Sequence, residues 1–188
     1  WRDEALTIGG IAGQPLDIDS ANPATLHQII TGSDHGQPVT LDGTLFAPSG
    51  ASKRPAVIIV PGSAGVSSNH LAHAETLLGQ GYAVFVLDPF GARAVTSTVA
   101  DQTQYSMAAS AYDVLATVRT LATHQAIDPT RISALGHSRG GTAVTLAAMR
   151  RLADPVLGSG VRLDRVYAAY PDLNDDDFVR EHRTRWFA

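Results

Sequence analysis

Arg131-Ile-Ser-Ala-Leu-Gly-His-Ser-Arg-Gly140 is the stretch that decides the fold. Its first five residues read as a short buried strand. Gly136 to Gly140 break that strand, and a helix is expected from Gly140 to about Leu152. The same succession occurs upstream. Ala56-Val-Ile-Ile-Val60 is a continuous apolar run, the mark of a strand buried on both faces of a parallel sheet. Pro61-Gly-Ser-Ala-Gly65 interrupts it, and Ser68 or Asn69 can cap a helix that runs to about Gln80 and closes at Gly81. Tyr82-Ala-Val-Phe-Val-Leu87 is a second buried strand, followed by a loop from Asp88 to about Thr103. Met107, Ala111, Val114, Val118 and Leu121 recur every three or four residues and mark a long amphipathic helix. Asp128-Pro129-Thr130 reads as a turn and Val166–Tyr170 as a further strand. Strands alternating with helices at this spacing predict right-handed βαβ units, hence a mostly parallel sheet with helices on both faces.

Before residue 50 the chain is rich in Gly, Pro, Asp, Ser and Thr. Val39-Thr-Leu-Asp-Gly-Thr-Leu-Phe46 alternates, and Asp42-Gly43 is a favoured hairpin dipeptide, so a strand pair turning there is expected. Pro48 to Pro55 is a loop by composition. The resulting division is a lead-in with edge strands (1–38), an α/β core (39–171) and an acidic-then-basic tail (172–188).

With 188 residues, 44% hydrophobic and 17% charged, the chain is long enough for one packed domain and too apolar for disorder. A net charge of -4 supplies no basic field for nucleic acid or an anionic membrane, and the apolar runs are strand-sized. The absence of cysteine excludes disulfides, a Cys nucleophile and Cys-ligated metals. It leaves the compartment undecided. The first residue is Trp1 and not Met, so a leader, a tag or further sequence is expected to have preceded it.

The chemistry resides in Gly136-His-Ser-Arg-Gly140, a G-x-S-x-G between strand and helix. Such a turn holds its serine in strained backbone geometry, where side chains two before and two after would collide with their neighbours. It lifts the Ser138 hydroxyl above the sheet edge and sets the Arg139 amide at a helix N-terminus, where an oxyanion is favoured. Pro61–Gly65 is the loop from which a second oxyanion N–H would come. Ser63 or Ala64 could supply it, with Ser63 preferred, and Gly62 lets backbone approach the substrate. Ser138 is expected at positive φ and close to this loop. A phosphate cradle is disfavoured, because no G-x-x-x-x-G-K-[ST] is present.

Val57–Gly91 and Ala111–Ala148, with Asp128-Pro-Thr-Arg-Ile and Gly136-His-Ser-Arg-Gly-Gly, resemble the dienelactone hydrolase family of α/β-hydrolases. The resemblance covers about residues 40–170. It implies a three-layer α/β-hydrolase fold and hydrolysis of a small ester or lactone by a nucleophile–His–acid triad, with no metal or organic cofactor. Ser138 stands where the namesake enzymes carry Cys, and Pro61 where relatives often carry His.

In this fold the acid and the histidine follow the nucleophile on the last two strands. Val166–Tyr170 resembles the sixth strand, so those last strands are expected to be missing and the chain to be C-terminally truncated. Asp172 is the best internal acid and His182 follows in the right order, but no strand returns His182 to Ser138. No histidine nitrogen is therefore expected at the Ser138 hydroxyl. Two rival readings remain, a non-catalytic scaffold that binds a small molecule or partner, and an inactive fragment. The open sheet edge would be a place for self-association into a homo-oligomer.

The remaining histidines and acids are read as structural. His137 should point into the fold, away from the cleft. His70 and His73, near Glu75, suggest metal ligands weakly and solvated helix surface more strongly. His124 fits a helix C-terminus, where its charge would meet the dipole. Asp88 forms a turn, and Asp175-Asp-Asp177 is a solvated acidic turn.

Overall fold

The apolar run at Ala56–Val60 lies at the centre of a six-stranded sheet because its alternate side chains are needed on both faces. In the computed structural model, which describes residues 6–50 and 52–171, β5 (Arg54–Val60) pairs in parallel with β6 (Ala83–Asp88) and with β7 (Ile127–His137). Ala56, Ile58 and Val60 enter one core, as do Ala83, Phe85 and Leu87 of β6, while Ile59, Val84 and Val86 enter another. This is the period of two that a doubly covered strand requires.

Beyond β7 lies β8 (Leu163–Ala169), also parallel, and beyond β6 lie β4 (Pro38–Phe46) and β3 (Gln14–Ala21), paired antiparallel. The strand order is β3-β4-β6-β5-β7-β8, with a small separate hairpin of β1 (Thr7–Ile8) and β2 (Ile11–Ala12). Helix α2 (Ser68–Gly79) covers one face through Ala74 and Leu78. The other face carries α1 (Leu26–Thr31), α3 (Met107–Ala122), α4 (Arg139–Ala147) and α5 (Arg150–Leu157). The result is a three-layer α/β sandwich. Helix α3 is buried along almost its whole length, which its alanines permit by keeping it thin against the sheet and α4. Ser106 starts α3, its hydroxyl accepting the Ala109 N–H at 2.8 Å.

Four expectations need correction. Asp42-Gly43 is not a hairpin turn, because Pro38–Phe46 is one continuous strand. Gly43 is required there for space: a Cβ would overlap the Phe85 ring from the neighbouring strand. The helix expected from Gly140 to Leu152 is two helices. Met149 is extended (φ -72°, ψ 121°), which redirects the chain so that Leu152 and Ala153 of α5 enter the main core. Asp128–Thr130 turns within β7 and does not precede it, since Asp128 Oδ1 accepts from the Thr130 N–H at 3.0 Å and the register shifts before Ile132. Helix α2 is capped by Ser67, one residue before the first candidate. Strand β8 forms one margin of the sheet among the described residues, with Tyr167 54% exposed.

Gly43→Ala should destabilise the fold by about 1–3 kcal/mol, since the Phe85 ring has no free volume into which to retreat. Urea denaturation checks this. An unchanged midpoint would show that the Gly43–Phe85 contact does not constrain the sheet.

Candidate active site

Ser138 sits between the last residue of β7 and the first of α4 at φ 49°, ψ -118°, the left-handed side of the map that an L-residue occupies only under constraint. The flanking glycines supply that constraint. A Cβ on Gly136 would overlap the Gly140 carbonyl, and one on Gly140 would come within 2.5 Å of the Pro61 carbonyl oxygen. The elbow is thereby pressed against the end of β5. The Ser138 N–H donates to the Ala169 carbonyl at 2.9 Å, and its own carbonyl accepts the Thr142 N–H at 3.0 Å, opening α4.

The loop after β5 lies against this turn. A Cβ on Gly62 would be 3.4 Å from Ser138 Cβ and 3.0 Å from the His137 carbonyl oxygen, so positive φ at Ser138 and its nearness to residues 62–65 are both found. The loop closes on a Gly65 N–H to Gly62 carbonyl bond of 3.0 Å, which uses neither the Ser63 nor the Ala64 amide. Ser63, Ser138 and Arg139 line one open cleft of about 1150 Å³, walled also by Asn22, Arg93 and Tyr105. Gly62 packs behind Ser138, and neither it nor Ala64 lines the cleft.

Sequence reasoning assigned Arg139 only its amide, but its buried side chain organises the cleft wall. Nη2 donates to the Tyr105 carbonyl at 2.7 Å and Nη1 to the Gln102 carbonyl at 3.1 Å, while the guanidinium lies 4.4 Å from the Tyr105 ring centre. Arg93 lies 4.6 Å from the same ring and pairs with buried Asp113 at 2.8 Å; Asp113 also accepts from Ser20 Oγ at 2.6 Å. Burial pushes the Asp113 carboxyl up, and Arg93 opposes that shift. Burial also raises the Tyr105 hydroxyl. An aspartate amid the apolar residues of α3 was the one available signal for this network.

His137 points away from the cleft toward α2. Its ring stacks on His73 with 5.3 Å between centroids and meets His70 edge-on at 4.9 Å. His70 is therefore not solvated helix surface, as expected from sequence, but buried at 4% exposure. Its Nδ1 accepts the Ser67 N–H at 3.0 Å, completing a reciprocal cap of α2. That bond places the neutral ring's proton on Nε2, which leaves no lone pair there for a metal. Burial first, and then the neighbouring His137, holds the His70 pKa down at about 4. Burial followed by His73 lowers that of His137. His124 follows the C-terminus of α3, and its Nδ1 accepts the Ala126 N–H at 3.2 Å in the turn beyond the helix.

Among the described residues, no histidine is hydrogen-bonded to the Ser138 hydroxyl. Asp88 makes a turn, its Oδ1 accepting the Phe90 N–H at 2.9 Å. Asp172, Asp175–Asp177 and His182 lie outside the described residues.

The profile of the dienelactone hydrolase family matches residues 41–173, and the chain belongs to that family. Its fold is the α/β-hydrolase fold. Among solved structures it is similar to m3DLH (23% identity, TM-score 0.50, covering 72% of this chain and 54% of that one). It is similar also to esterase Est22 (19%, TM-score 0.53, 85% and 44%). A third likeness is to acetyl xylan esterase 1 from Thermoanaerobacterium sp. JW/SL YS485 (17%, TM-score 0.55, 76% and 47%). The chain thus spans about half the length of these proteins. No curated protein matches it.

Because His70 stays neutral when folded to about pH 4 but takes a proton near 6.5 when unfolded, stability is full above pH 6.5 and falls as the pH drops toward 4. His70→Gln keeps a side-chain acceptor for the Ser67 amide and removes the titration. Chemical denaturation at pH 7 and pH 4.5 should show a smaller loss for this variant, by about 1 kcal/mol once solvent screening at the cluster's open edge is allowed for. Equal losses would mean that the imidazole cluster contributes nothing to the acid sensitivity.

Proposed function

We propose that the protein is a serine hydrolase that cleaves a small ester or lactone through an acyl-enzyme. Ser138 is its nucleophile, and the Arg139 and Ser63 amides stabilise the oxyanion. The observation that carries this reading is Ser138 at φ 49°, exposed at a helix N-terminus and on the wall of the same cleft as Ser63. A strained serine is seldom kept without a use, and the N-terminal amides of α4 favour negative charge where a tetrahedral intermediate would place it. Membership of the dienelactone hydrolase family and the likeness in fold to two esterases support a carboxylic ester as substrate.

In the reaction, the Ser138 oxygen attacks the carbonyl carbon and loses its proton to a general base. The C–O bond then breaks, the alcohol leaves with a proton, and water releases the acid. His137, His70 and His73 are engaged behind the elbow, so we assign the base and its acid outside the described residues. The Arg93–Asp113 pair and the Tyr105 ring shape the cleft and take no proton in the reaction.

Treatment with p-nitrophenyl acetate or a fluorophosphonate, followed by peptide mass spectrometry, should find the label on Ser138. Ser138→Ala should lower p-nitrophenyl acetate hydrolysis at least about tenfold, leaving only what the amides achieve alone. A label on another residue, or an unchanged rate, would refute the assignment and favour a binding scaffold.

A further inference from the structure

We infer that Gln102 is a positioning residue that fixes the spacing between the two halves of the oxyanion site; the inference rests on the proposed function. Gln102 opens a short turn (Gln102–Gln104) in the long connection between β6 and α3. Its carboxamide touches both sides of the cleft. Arg139 Nη1 donates to Gln102 Oε1 at 3.1 Å, and Gln102 Nε2 donates to Ser63 Oγ at 2.9 Å. The orientation of the amide follows from chemistry. A guanidinium can only donate, so the oxygen must face Arg139, while the Ser63 hydroxyl, lying between the two amide atoms, accepts from the nitrogen and also reaches the oxygen at 3.3 Å.

The same connection holds Ser63 by its backbone. The Ser63 carbonyl accepts the Thr98 N–H at 2.8 Å and Ser97 Oγ at 3.0 Å. Arg139 in turn grips the connection at the Gln102 and Tyr105 carbonyls. The two proposed donor amides belong to residues 63 and 139, which lie on separate loops, and the Gln102 side chain is bonded to both residues. An exposed glutamine loses considerable rotamer freedom when held at both ends and buries little apolar surface in return. Its position is explained if it keeps the Ser63 backbone in register with the elbow while charge develops on the substrate. Donor placement affects the transition state more than the ground state, so the effect belongs in kcat and not in KM.

The test uses the full chain and its Gln102→Ala, Gln102→Met and Ser138→Ala variants. Gln102→Met keeps bulk without hydrogen bonds, and thermal melting should leave both Gln102 variants within about 2 °C of wild type, because the side chain is exposed. The Ser138-dependent kcat for p-nitrophenyl acetate should fall about tenfold to a hundredfold in both, with KM changed less than about threefold. Affinity for phenylboronic acid, which forms a tetrahedral adduct on an active serine, should weaken in parallel. A merely structural role would not produce that parallel with KM unmoved. If wild type shows Ser138-dependent hydrolysis and boronate binding while the Gln102 variants match it, or lose only KM, the inference is overturned and the proposed function stands. If Ser138→Ala equals wild type in both assays, the proposed function falls and takes this inference with it.

Discussion

The contact on which the rest of the structure depends is backbone against backbone, where Gly140 at the start of α4 meets the carbonyls of Val60 and Pro61 at the end of β5. No side chain fits between them. This close approach brings the β7–α4 turn and the β5–α2 loop, distant in sequence, to one edge of the sheet. Ser138 inherits its positive φ from the same squeeze, since Gly136 and Gly140 nearly touch across the turn. Parallel pairing of β5 with β7 up to Val60 and Gly136 brings both loops out at the carboxyl ends of adjacent strands. That is where open α/β sheets place their ligands.

A second layer of constraint is electrostatic. The connection from β6 to α3 has little regular structure, and it is held by cations. Arg139 donates to backbone carbonyls at 102, 105 and 106, and Arg93 donates to the Ala21 and Pro89 carbonyls and to Asp113. Both guanidiniums lie against Tyr105. Guanidinium suits this work because its planar array of donors can satisfy several carbonyls at once without accepting a proton. The lead-in strand β3 is tied to the same cluster through Ser20 and Asp113, so the first strand of the sheet and the cleft wall share one buried network.

The parts legible in the sequence were those written in local pattern. The buried strands at 56–60 and 82–87, the long helix from Met107 and the elbow at 136–140 each carry their period or their glycines within a few residues. What escaped was set by distant partners. Asp42-Gly43 has hairpin chemistry, yet the strand continues because Phe85 on another strand needs the glycine's empty space. His70 reads as solvated helix surface in the sequence, but β7 delivers His137 onto it. Arg139 was read for its amide alone, because nothing near it in sequence announces carbonyls more than thirty residues away. Such contacts depend on topology, which local propensity does not encode.

The two sides of the elbow differ in a way that bears on its proposed chemistry. On the cleft side stand the N-terminus of α4 and the buried guanidiniums of Arg139 and Arg93, the latter paired with the buried carboxylate of Asp113. The free amides at the start of α4 favour negative charge there, the sign an oxyanion carries. Behind the elbow, burial and neighbouring imidazoles lower the pKa of both His70 and His137, and His70 accepts a bond that its charged form could not accept. Protons gained there would set like charges beneath Ser138 at ring separations near 5 Å, strained against the same β7 residues that present the serine. Uncharged imidazoles pack as flat, partly apolar rings and impose no such strain. The back of the elbow therefore supports the turn by packing, and the geometry of Ser138 is kept independent of charge as long as the cluster stays neutral.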